Sequence, residues 1–206
     1  MKLCCPKSLI GLCLLILLMA GQTARSQVLI TEFMASNNST VADENGEIAD
    51  WNELHNAGIS TVNLNGWFLT DNAANLTKWR LPSTNVPPGG FLVVFASGKN
   101  RATPGLPLHT SFSLAAAGEY LGLIQPNGTT VASDYAPMFP EQFTDISYGL
   151  VDGQAFYFST PTPGSANSTN HFAKAEEVKF SVSRGFYESS FALTLSTDTP
   201  GATIRF

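Results

Sequence analysis

Cysteine is nearly missing from this sequence, and where it occurs it cannot cross-link a fold. The 206 residues hold three cysteines, Cys4, Cys5 and Cys13. All three fall in a segment with the charge and apolarity of a secretory signal peptide. Lys2 and Lys7 flank its start, residues 8–20 read SLIGLCLLILLMA, and GQTARS follows with small residues at Ala24 and Ser26. The apolar run is too short for a bilayer span, so it predicts cleavage rather than anchoring. Without residues 1–26 the chain has no cysteine, and a secreted protein of that kind rests on its hydrophobic core.

Basic residues are also scarce. Removing Lys2, Lys7 and Arg25 with the leader leaves eight Lys and Arg against sixteen Asp and Glu, without a basic stripe. Phosphate-backbone binding depends on clustered cations, so nucleic acid is excluded as an expected partner. The catalytic signatures are missing as well. There is no G-x-S-x-G elbow and no G-x-x-x-x-G-K-[ST] phosphate loop. Helical periodicity is absent; residues 114–120 (LAAAGEY) come nearest, and Gly118 interrupts them.

What remains is a succession of strand-length runs. VLITEF (28–33), WNELHN (51–56), WFLT (67–70), KWRL (78–81), FLVVFA (91–96), EYLGLIQ (119–125), TTVASDY (129–135), ISYG (146–149) and FYF (156–158) are separated by turns such as DNAAN, PPGG, SGKN, QPNG and VDGQ. Short strands between Gly, Asn, Asp and Pro turns predict an all-β sandwich or barrel. Residues 159–177 are rich in Pro, Ser, Thr and Asn and read as a linker. Two further strand-like runs follow, at 178–187 and 191–197. A unit of two or three strands buries little by itself. The chain is therefore expected to be the front of a longer protein.

In register, VLITEFMASN (28–37), DENGEIADWNELHN (43–56), LNGWFLTD (64–71), TKWRLP (77–82), VPPGGFLVVFASGK (86–99), LHTSFSLAAAGEYLGLIQPNGTTV (108–131) and STPTPGSAN (159–167) resemble the lamin tail domain in its exported bacterial form. The resemblance implies an immunoglobulin-like β-sandwich with a binding or architectural role and no catalysis. Asn52 departs from the pattern, which usually has an aliphatic residue there, and His55 stands where an aromatic is common. Asn52 shares a strand face with Leu54, so a buried amide there needs a hydrogen-bond partner. From Val178 the sequence resembles the opening half of a chitobiase C-terminal, fibronectin-III-associated domain. The pair of modules implies a larger exported protein, of which a CotH-type kinase-like domain is one downstream form. The resulting division is a signal peptide at 1–26, the sandwich at 27–167, a linker at 168–177 and a half domain at 178–206.

The densest polar chemistry lies at 43–56, with five carboxylates and His55 in fourteen residues. Calcium takes about six to eight oxygens, commonly from an acidic loop bent at glycine. Asp43, Glu47 and Asp50 are the candidate ligands, although Gly46 lies too close to Asp43 for an EF-hand loop. The other reading is a solvated acidic turn at Asn45-Gly46. Glu53 and His55 share a face with Trp51 and read as an exposed strand face carrying a side-chain hydrogen bond. His109 and His171 have no evident companions. Trp51, Trp67 and Trp79 suggest either a sugar-stacking platform or, for at least two of them, core packing.

The expectation is thus a non-catalytic extracellular or envelope module for adhesion, anchoring or positioning. It would need no cofactor beyond a possible calcium ion, and its ligand would be a protein or a cell-surface polysaccharide. The rival is an accessory module serving a downstream enzyme, either by binding carbohydrate or as the leader of a CotH-type protein.

Overall fold

The computed structural model describes residues 27–199 and 202–205. The leader at 1–26 lies outside the described residues. Numbered along the chain, the strands are β1 (Val28–Met34), β2 (Asp50–Asn56), β3 (Val62–Asn63), β4 (Phe68–Thr70), β5 (Trp79–Arg80), β6 (Asn85–Val86) and β7 (Phe91–Ala96). There follow β8 (Leu108–His109), β9 (Leu121–Ile124), β10 (Val131–Tyr135), β11 (Ser147–Val151), β12 (Gln154–Phe158), β13 (Lys179–Phe180) and β14 (Leu195–Ser196). No helix forms among the described residues.

One sheet runs β12-β11-β1-β2-β7-β8 and the opposing sheet β10-β9-β4-β5. Pairing is antiparallel except between β7 and β8. The core lies between the two sheets. Ile30, Phe33, Leu54 and Val94 project from the first, Leu69, Trp79, Leu121 and Leu123 from the second, and all are buried.

The alternation of β1 is broken on purpose by a bulge. Ile30 pairs with Leu54, but the next partner of β2, Glu53, faces Glu32 rather than Thr31. One extra residue reverses the parity downstream. Phe33 consequently enters the core, while Glu32 and Met34 turn to the outer face of the sheet. The bulge is held from β10: the Ile30 N–H donates to Ser133 Oγ at 3.1 Å, and the Tyr135 hydroxyl donates to the Ile30 carbonyl at 3.2 Å.

The outer face of the large sheet is itself covered. Met34, Trp51 and Phe95 form a second small core beneath Val41 and Ala49. Trp51 is thereby buried at 0% exposure, while Trp79 is buried at 3% between the two sheets, so neither offers a stacking surface. Glu53 corrects the exposed-face reading, for it is fully buried. The unit at 178–205 is different. Its strands β13 and β14 pair only with each other, and Phe180, Phe186, Tyr187, Phe191 and Leu193 remain exposed.

Candidate functional site

Two clusters of ionisable side chains sit on the outer face of the six-stranded sheet. The first is the acidic loop. Asp43 is bent into a turn in which the Gly46 N–H donates to its carbonyl at 2.9 Å, and Gly46 takes φ +80°, a region open to glycine. The Asp43 side chain completes the turn by accepting from the Asn45 and Glu47 N–H groups at 2.8 and 3.0 Å. Its other oxygen meets Lys99 Nζ, which also binds Glu47 at 2.6 Å. The Lys99 ammonium, aided by those backbone donors, lowers the Asp43 pKa to about 2.

Glu44 reaches two neighbouring nitrogen groups. It binds Arg101 Nη1 at 2.5 Å and His109 Nε2 at 2.9 Å, and the His109 contact is the larger cause of its depressed pKa. His109, companionless in the sequence, is fully buried, stacks on Phe95 and has Nδ1 2.8 Å from Ser97 Oγ. An ionised Glu44 accepts only, so Nε2 carries a proton toward it. Ligand atoms of Asp43, Glu44 and His109 lie within 4.8 Å of one another. The structure joins Asp43 and Glu47 through Lys99, while Asp50 Oδ1 accepts from the Asn37 N–H at 3.1 Å. Burial raises the Asp50 pKa. Asp50, Glu47, Lys99 and Ser97 line a shallow cleft of about 290 Å³. Three of the five carboxylates crowded in the sequence, Asp43, Glu44 and Glu47, are paired by Lys99 and Arg101, which lie more than fifty residues beyond Asp43 and Glu44.

The second cluster was not foreseen. Glu32 and Glu53 stand directly opposite each other on β1 and β2, and both are fully buried. The segment 162–167 closes over them. Glu32 accepts from the Thr162 N–H at 3.1 Å, from the Thr162 hydroxyl at 2.9 Å and from the Ser147 hydroxyl. Glu53 accepts from the Thr31 hydroxyl at 2.7 Å and the Gly164 N–H at 2.6 Å. Asn167 Nδ2 finishes the attachment, donating to the carbonyls of Thr31 and Leu150 at 2.8 and 3.0 Å. Gly149 makes room: a Cβ there would strike the Thr31 carbonyl and lie 2.9 Å from Asn167 Nδ2. Burial raises both carboxyl pKa values, that of Glu53 to about 7, with Glu32 adding to the rise in Glu53. The signal available in the sequence was Glu32 at a position of core parity, together with the Thr-Pro-Gly turn at 162–164.

The chemistry of both clusters is consumed in holding irregular segments on a sheet. An immunoglobulin-like sandwich whose ionisable side chains are engaged in such contacts is compatible with a binding or architectural module. The profile of the lamin tail domain matches residues 21–136, more than half of the chain. The chain belongs to the lamin tail domain family, whose members are non-catalytic immunoglobulin-like modules. No curated protein matches it. Among the described residues no helix is long and apolar enough to cross a membrane.

Proposed function

We propose that this chain is a recognition and anchoring module of an exported protein, contacting its ligand through the corner formed by residues 43–50, 97–101 and 109. The carrying observation is the pre-organised ionic lattice at that corner. Lys99 bridges Asp43 and Glu47, and Glu44 bridges Arg101 and His109, so the acidic loop is tied at several points. A rigid loop binds without spending further ordering entropy. Glu44, Asn45, Glu47 and Ile48 remain exposed on it. Recognition from loops at the end of a sandwich fits the fold. Export is supported by the leader-like residues 1–26.

The test is co-sedimentation of the full chain with envelope fragments from its own cells. Retention of wild type, weakened at least tenfold in a Lys99→Ala/Arg101→Ala variant that still melts cooperatively, supports the assignment. Equal retention of both proteins, or of neither, refutes it.

A further inference from the structure

Glu32 and Glu53 raise a question that packing alone does not answer. Like charges directly opposite on adjacent strands sit about 5 Å apart and repel. Among the described residues neither carboxylate has an ion-pair partner; every donor to them is neutral. Three of those donors, the Thr162 N–H, the Thr162 hydroxyl and the Gly164 N–H, belong to one irregular segment without strand pairing of its own. Lifting that segment would return both carboxyls to water. The closed and open forms therefore bind protons differently.

We propose that residues 162–167 form a proton-linked latch: protonation of the Glu32–Glu53 pair holds the segment on the sheet, and ionisation of the pair loosens it together with the chain that follows. The sign follows from linkage. The closed form holds a proton on Glu53 up to about pH 7, whereas a solvated glutamate loses it near the ordinary value. The open population rises as pH climbs from about 4.5 to about 7, by up to about tenfold per unit, and levels off above that.

The other titratable groups in the neighbourhood do not reproduce this. Tyr135 and Tyr148 have pKa values raised by burial and stay neutral through the window. His55, two residues along β2, stacks on Phe91, and burial lowers its pKa. His171, beyond the latch, packs on Phe156. Lys174 and Glu141 pair with each other at 3.0 Å.

Glu53→Gln separates the proton from the shape. A glutamine carbonyl accepts from the Gly164 N–H, and its amide donates to Thr31 Oγ once that hydroxyl rotates. The experiment is amide hydrogen exchange on the full chain between pH 4.5 and 8, each rate divided by its intrinsic value. The Thr162 and Gly164 amides should open at least tenfold more at pH 7 than at pH 5, while Leu54 and Val94 change little. In Glu53→Gln the slope should flatten. A pH-independent opening in wild type overturns the latch whether or not the variant folds, and so does an unchanged slope in the folded variant.

Discussion

Replacing Asn52 with leucine should stabilise this protein, and the structure fixes the size of the effect. Asn52 pairs with Phe33 on β1 and Val94 on β7, both core residues, and is itself fully buried. Neither its Oδ1 nor its Nδ2 has a hydrogen-bond partner. A buried polar group without a partner costs about 1–3 kcal/mol. Leucine has the same branching at Cγ and adds apolar burial, against which its greater bulk costs about 1 kcal/mol or more in a packed core. The net gain is about 2 kcal/mol, or roughly 4–8 °C in melting temperature for a domain of this size. Paired urea and thermal melts of wild type and Asn52→Leu decide it. An unchanged or lower midpoint, with cooperativity intact, would refute the reasoning, because it would mean that Asn52 is satisfied, for example by an internal water.

Other outcomes follow from the same contacts. Asn167→Ala strips donors from the Thr31 and Leu150 carbonyls and should lower stability by about 2 kcal/mol in denaturant melts. Gly149→Ala drives a methyl into the Thr31 carbonyl and should unfold more easily than Asn167→Ala in the same melts. Because the folded pKa values of Glu32 and Glu53 are raised, the native state binds more protons than the unfolded one. Their contribution to stability is therefore complete below about pH 4.5 and fades as pH rises to about 7, which a series of melts at fixed ionic strength should show after Glu53→Gln is subtracted. Calcium is tested by EDTA: with Lys99 on Asp43 and Glu47, the melting temperature should stay put, and a fall abolished by Asp50→Asn would support the calcium reading.

The fold was legible because its strands advertise themselves. FLVVFA and the apolar start of VLITEF are short runs of strand length, and the turns between strands hold Gly, Pro and Asn where the chain reverses. The two-residue strands β3 and β6 were not, since Val62–Asn63 and Asn85–Val86 offer no alternation to read. Parity failed at Thr31, because a bulge is a property of the pairing rather than of one strand, and it is this bulge that brings Glu32 beside Glu53. The apparently linker-like STPTPGSAN was misleading for a related reason. Its polarity matches loops that face water, yet here Thr162, Gly164 and Asn167 direct their donors onto buried acceptors. His109 and Lys99 illustrate a third limit. Their carboxylate partners lie more than fifty residues away along the chain, at a distance that periodicity cannot connect.

The most direct measurement is a carbon-13 titration of the Glu53 side-chain carboxyl in the full chain. The account predicts a midpoint near pH 7, well above the solvated value of 4.5, with the Gly164 amide shift following the same curve. A midpoint in the ordinary carboxylate range would contradict it, because Glu53 would then be open to water and the segment 162–167 would not be closed on the sheet.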